Sequence, residues 1–330
     1  METEIGIAAA AVTLPAGRRD VRSLLEEESA TFHPQIAARL GIEEVPICDG
    51  ESGSALALEA CQEALRRAEL DVAQLDVIVD YTILPQEYLV PAWNMSNKLQ
   101  HELGAKKAFT VGFSGGMATN FLVALSSAAA LLQVNEKLTS ALLVAADVTI
   151  PGNRILNPAD PVTVFGDSAG AMVLRKGVRG SLVVDTELHS QGNYHDVCYI
   201  PGGALAHPDD PGLYRMVLDK KRYDQAPKAE TINALLEALL NRTGTKPEEI
   251  VFALYPNLSS ADQRQFVEVL GFSSDQINHE NCKLHGHLQG TDFVINYLSM
   301  KESGLVGEGQ YFVAASHGMG FLAGVSLLRM

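Results

Sequence analysis

Two spacings of apolar residues alternate along this chain. Residues 55–70 place Leu56, Ala57, Ala60, Ala64 and Leu65 three to four apart, the period of an amphipathic helix. The run LDVIVDYT from Leu75 then brings consecutive β-branched residues, Val77, Ile78 and Val79, as a strand buried on both faces does. The second half repeats these events: a helix over residues 231–240 leads into EIVFALYP from Glu249, setting Val77 against Ile250 at an offset of 173. Each half continues with a helix ending in Leu-Gly, at Leu103-Gly104 and Leu270-Gly271, then a strand and a Gly-containing turn into a third helix. Both halves close on apolar strands, SALLVAADV ending at Val148 and QYFVAASHG ending at Gly318, followed by FGDSAGAMVL and FLAGVSLL. This order predicts helices packed on mostly parallel sheets, with duplicated halves, 1–175 and 176–330, in a layered α/β/α/β/α block.

Length and composition narrow the function. A chain of 330 residues, 47% of them hydrophobic, buries a large core, which excludes a disordered protein. Asp and Glu number 40 against 25 Lys and Arg, so the surface lacks the basic footprint that nucleic acids and anionic membranes require. Small molecules or proteins are the expected partners. Cys48, Cys61, Cys198 and Cys282 show no CxxC or Cys/His metal spacing, so no metal site or disulfide framework is expected and a reducing, cytoplasmic setting fits. The acidic start, with Glu2 and Glu4, and the apolar run 5–14 read as a strand, not a signal peptide. The longest apolar stretch, 117–134, carries Thr119, Asn120, Ser126, Ser127 and Gln133, and reads as a helix buried on all sides, not a membrane span. The segment 201–224 is the one long polar insertion, expected over a site entrance or the surface.

Several segments, in order and over nearly the whole chain, resemble the ketoacyl-ACP synthase III family: GIEEVPICDGESGSALALEACQEAL, AFTVGFSGG, FGDSAGAMVL at Phe165, and SHGMGFLAGVSLL. FGDSAGA is similar to that family's FGDGAGA. The resemblance implies a thiolase fold, a homodimer, and a tunnel for the phosphopantetheine arm of acyl carrier protein or CoA, with no bound cofactor. The family's condensing members use Cys, His and Asn, and this chain departs at all three. The turn AFTVGFSGGMA presents Ser114 before Gly115-Gly116 where the family has cysteine, if its loop is one residue shorter. Pro256-Asn257-Leu258-Ser259 matches PHQAN, placing Asn257 at the histidine, and His285-Gly286-His287-Leu288 matches HGNTSA, placing His287 at the asparagine.

A serine hydroxyl attacks a thioester only when a neighbouring base takes its proton. His287 is the candidate base, lying 173 residues after Ser114, the same offset as the repeat, so both are expected at equivalent turns facing each other. Asp292, five residues on, is placed to hold its imidazole, completing a Ser114–His287–Asp292 triad; His285 and His317 are alternatives for the base. By the resemblance, the backbone N–H groups of Ser114 and Met319 form the oxyanion hole, Arg39 and Arg154 match the nucleotide entrance, Arg264 matches a carrier-protein contact, and the segment 84–93, with Val90, reaches into the partner's tunnel. Decarboxylative condensation needs two donors for an enolate, whereas acyl transfer needs a nucleophile, a base and an oxyanion hole. The altered set therefore points to an acyltransferase of the starter-unit branch of polyketide pathways, passing an acyl group from carrier protein or CoA through Ser114 to a thiol, hydroxyl or amine. The alternatives are a condensing synthase, with Cys198 as a further nucleophile, and a silent thiolase-fold subunit of a heterodimer.

Overall fold

The computed structural model describes residues 4–28, 33–88, 93–150 and 152–330. The first half runs β1 (Ile5–Thr13), α1 (Gly53–Arg67), β2 (Val77–Asp80), α2 (Met95–Leu103), β3 (Phe109–Gly112), α3 (Asn120–Val134), β4 (Ser140–Asp147) and β5 (Ser168–Lys176). Ser52 caps α1, its Oγ accepting from Ala55 N. The second half runs β6 (Leu182–Ser190), α4 (Lys228–Thr243), β7 (Ile250–Leu254), α5 (Ser260–Leu270), α6 (Asp292–Ser303), β8 (Tyr311–His317) and β9 (Leu322–Arg329). The expected division at 175/176 falls at the end of β5, and the two halves share one sheet and one central helix layer.

Among the described residues these nine strands form a single sheet in the order β7-β8-β9-β6-β1-β5-β4-β2-β3, and the halves join where Gly6 of β1 pairs with Leu182 of β6. Strand polarity differs from the mostly parallel expectation. Only β2/β3, β2/β4 and β7/β8 are parallel, while the other pairs are antiparallel. The reason lies in the connections: no helix crosses over between β4 and β5 or between β8 and β9, so each closing strand returns beside its predecessor.

The period-2 alternation of side chains sorts the strands into layers. On β4, Ala141, Leu143 and Ala145 join a cluster with α3 and α6, whereas Leu142, Val144 and Ala146 face α1 and α2. On β8, Phe312 and Ala314 face that same central cluster, and Val313 and Ala315 pack under α4 and α5. The five expected layers follow, with α3 and α6 in the middle. Fully burying a side chain such as Phe121 or Phe293 there stabilises the fold by about 1.5–3 kcal/mol each. The apolar stretch 117–134 is thus a core helix preceded by a short 3₁₀ turn, Met117–Thr119. It is not buried on all sides, because its end reaches solvent and Val134 is 80% exposed.

Candidate active site

The two central helices begin in the same way. In the first half, Asn120 Oδ1 accepts from Gly116 N at 2.8 Å, and Met117 takes a left-handed φ of 49° in the turn Met117–Thr119. In the second, Asp292 Oδ1 accepts from Leu288 N at 2.8 Å, and Gln289 takes a φ of 56° in the turn Gln289–Thr291. The two turns pack against each other. Asn120 and Asp292, Met117 and Gln289, Gly116 and Leu288 are each 172 residues apart. The strand starts Val77 and Ile250 keep the expected 173, but the turns do not. His287 is therefore the counterpart of Gly115, not of Ser114, and the expected register at the site is corrected by one residue.

His287 is held from every side. Its backbone N–H donates to Val164 O at 3.0 Å, its carbonyl accepts from Gly166 N at 3.1 Å, and its ring lies 5.6 Å from that of Phe165. Its Nδ1 lies 2.5 Å from Asp292 Oδ2, with both residues buried. A carboxylate can only accept, so this bond sets the proton on Nδ1 and leaves Nε2 free, with no hydrogen-bond partner among the described residues. Asp292 is in turn saturated by donors: Leu288 N, Asn257 N at 2.7 Å and Asn257 Nδ2 at 3.2 Å.

Asn257 is fully buried, and its side chain is consumed in this scaffold. Its Oδ1 accepts from Asn296 Nδ2 at 3.1 Å and from Gln263 Nε2 at 3.3 Å, and Asn281 donates to Asn296 Oδ1 at 2.8 Å. Rather than facing a substrate, Asn257 orients Asp292. Sequence reasoning missed Gln263, Asn281 and Asn296; the only available signal was polar residues within otherwise apolar helical faces, as at Asn296 in α6.

Ser114 sits apart from this pair, in the exposed turn after β3, and no hydrogen bond joins it to His287 among the described residues. It lines a cavity of about 360 Å³ with Asp80, residues 82–86, Asn94, Phe113, Met117, Cys198, Tyr199, Ile200 and Met216. Cys198, Tyr199 and Ile200 directly precede the polar insertion and Met216 lies within it, and the two stretches join where Cys198–Tyr199 pairs with Val217–Leu218. Cys198 thus shares the cavity of Ser114, but burial pushes its thiol up to about 12, leaving it protonated and a poor nucleophile.

The turn after β8 packs directly on the Ser114 turn. A methyl group at Gly318 would lie 2.0 Å from Gly116 O, and one at Gly320 3.2 Å from Gly115 O. The N–H groups of Ser114 and Met319 have no hydrogen-bond partner among the described residues, which leaves both available to an oxyanion.

The rival histidines lie elsewhere. His285 is beside Arg18, whose Nη1 is 3.3 Å from its Nδ1, and burial followed by that guanidinium lowers its pKa. His317 points to the outer face of β8, 3.8 Å from Asp262 of α5. Of the expected entrance residues, Arg154 pairs internally with Asp167, at 2.7 and 3.0 Å. Arg39 bonds Asp160 at 2.5 Å and Pro161 O at 2.7 Å, and Arg264 is exposed on α5. Val90 lies outside the described residues.

Known proteins agree with this architecture. The family 3-oxoacyl-[acyl-carrier-protein (ACP)] synthase III matches residues 116–192. The β-ketoacyl-[acyl-carrier-protein] synthase III of Rhodospirillum rubrum is 28% identical over 292 residues, covering 86% of both chains. The crystal structure of 3-oxoacyl-[acyl-carrier-protein] synthase III from Aquifex aeolicus superposes with a TM-score of 0.84 at 22% identity, covering 99% of this chain and 100% of that one. ChlB3, described as an acyltransferase, superposes with a TM-score of 0.82 at 19% identity, covering 99% of this chain and 98% of that one. The chain has the thiolase-like fold of the ketoacyl-ACP synthase III type.

Proposed function

We propose that this chain is a transferase working on acyl thioesters of acyl carrier protein or CoA, and that it moves the acyl group through Ser114. The observation that carries the reading is the buried His287–Asp292 pair, which leaves Nε2 free just before a turn, Gln289–Thr291, that packs on the turn Met117–Thr119 following Ser114. In the proposed step the Ser114 hydroxyl attacks the thioester carbonyl and its proton passes to His287 Nε2. The backbone N–H groups of Ser114 and Met319 receive the oxyanion. The C–S bond then breaks and the carrier leaves as a thiol, taking the proton from His287. Deacylation by a thiol, hydroxyl or amine acceptor runs these steps in reverse. No hydrogen bond joins Ser114 to the anchored His287 among the described residues, so the exposed Ser114 turn supplies the approach, and catalytic hydrogen bonds commonly tighten only with substrate in place.

A second reading is decarboxylative condensation, favoured by the names of the relatives, which are ketoacyl-ACP synthases. Against it stands the chain's own chemistry, since none of the four cysteines lies at the Ser114 turn. A homodimer is part of the proposal: among the described residues β3 is an open sheet edge carrying Phe109, 44% exposed, and Tyr88, within the segment 84–93 expected to cross between subunits, is 65% exposed. Four free cysteines support a reducing, cytoplasmic setting.

Intact mass after incubation with a panel of acyl-CoA and acyl-carrier thioesters tests the reading. An adduct mapped to Ser114 supports transfer; C–C bond formation with a malonyl thioester and no serine adduct supports condensation; neither product from any donor supports the silent subunit.

A further inference from the structure

Asp147 ends β4 with its carboxylate fully buried, and no step of the proposed reaction uses it. Its Oδ1 accepts from Ile83 N at 2.9 Å and from Leu84 N at 2.7 Å, in the segment that walls the Ser114 cavity. Its Oδ2 accepts from Gly290 N at 3.2 Å, in the turn between His287 and Asp292. One side chain therefore ties together two segments some 200 residues apart in sequence. We propose that Asp147 is a positioning residue that couples the wall of the acyl cavity to the turn carrying His287, so that neither shifts without the other. The coupling is read from hydrogen bonds alone; its importance for acylation rests on the reading above.

The surroundings make the coupling sensitive to protonation. The titratable groups facing Asp147 are Asp80 and Tyr81, at the end of β2. Cys61 of α1 lies beside Asp80, β5 sets Ser168 opposite Asp147, and the cavity-wall segment 82–86 and the turn Gln289–Thr291 bring no charge. Burial, with a smaller contribution from Asp80, pushes the Asp147 carboxyl up to about 6 against three backbone N–H groups that lower it. A protonated carboxyl accepts more weakly than a carboxylate, so all three bonds weaken together as pH falls through that value. The global effect has the opposite sign. A folded-state pKa above the unfolded one adds stability at low pH that is lost as pH rises through about 6.

Hydrogen exchange by mass spectrometry on the full chain between pH 5 and 7.5, corrected for intrinsic rates, tests this. Peptides covering 82–86 and 288–291 should lose protection together below about pH 6, while the rest of β4 does not. Asp147→Asn should loosen both segments at every pH and abolish the shared midpoint; the wild-type titration stands even if that variant does not fold. Separate midpoints, a response in one segment only, or loosening spread uniformly over the sheet would overturn the coupling. Exchange does not depend on acylation, so a wild type with coupled segments but no Ser114 adduct would sink the functional reading and leave this one standing. With acylation observed, its rate should carry the same midpoint in wild type and lose it in Asp147→Asn; an unchanged pH profile would overturn the positioning role.

Discussion

Phe121 and Phe293 stack with ring centroids 4.6 Å apart and planes 10° from parallel, and they are 172 residues apart. Two equivalent residues of a duplicated fold touch each other only where the pseudo-twofold axis passes between them. The stack therefore marks that axis, and it fixes the register in which His287 corresponds to Gly115.

That register makes Gly115 a place to put a nucleophile. A Cβ there meets no atom within 4 Å, although its φ of 92° would cost a non-glycine residue about 1–3 kcal/mol. Gly115→Cys is expected to fold with a lowered melting temperature. Its thiol should react with iodoacetamide faster than Cys198, by competitive labelling and peptide mapping. Ser114→Ala in the wild-type background should abolish the acyl adduct; an adduct persisting in that variant would remove Ser114 from the mechanism.

Asp292 is expected to matter more to rate than Asn257. Asp292→Asn removes the acceptor that holds the proton on Nδ1, and by analogy with Ser/His/Asp sites single-turnover acylation should slow by about 10²- to 10⁴-fold. Asn257→Ala removes one donor to Asp292 but keeps the backbone N–H, and it takes one of two acceptors from each of Gln263 and Asn296, which retain Asn278 O and Tyr255 O. Its main effect should be a stability loss of about 1–3 kcal/mol, read by denaturant unfolding, with a smaller rate effect. The reverse ranking would place Asn257, not Asp292, in contact with the reaction.

Gly318→Ala and Gly320→Ala separate contact from composition at the turn proposed to receive the oxyanion. The first drives a methyl to 2.0 Å from Gly116 O and forces two backbones apart, whereas the second meets Gly115 O at 3.2 Å, a tight contact that a small backbone shift relieves. Gly318→Ala should lower both the melting temperature and the acylation rate, and Gly320→Ala should be milder on both measures. Equal effects would show that the two turns do not need this close approach.

The open edge at β3 should be covered in solution. Light scattering at micromolar concentration is expected to give a dimer, and Phe109→Glu should shift it towards monomer, because a charge replaces an apolar side chain at the pairing edge. A wild-type monomer would contradict the proposal.

The order of elements was legible in the sequence because it depends on local periodicity: helical spacing in 53–67, consecutive β-branched residues in 77–79, Leu-Gly ends at 103–104 and 270–271. The pairing of His287 with Asp292 was legible too, since five residues at a helix start leave few places for a carboxylate to go. What remained hidden depended on long-range placement. A turn can gain or lose one residue without disturbing the periodicity on either side, so the sequence spacing of 173 could not reveal that the helix mouths align at 172. Likewise, strand polarity depends on whether a connection crosses the sheet or doubles back, which apolar patterning does not record. The scaffold of Asn257, Gln263, Asn281 and Asn296 behind Asp292, and the reach of Asp147 to both Ile83 and Gly290, exist only because buried polar groups must find partners, and the folded chain brings those partners from distant segments.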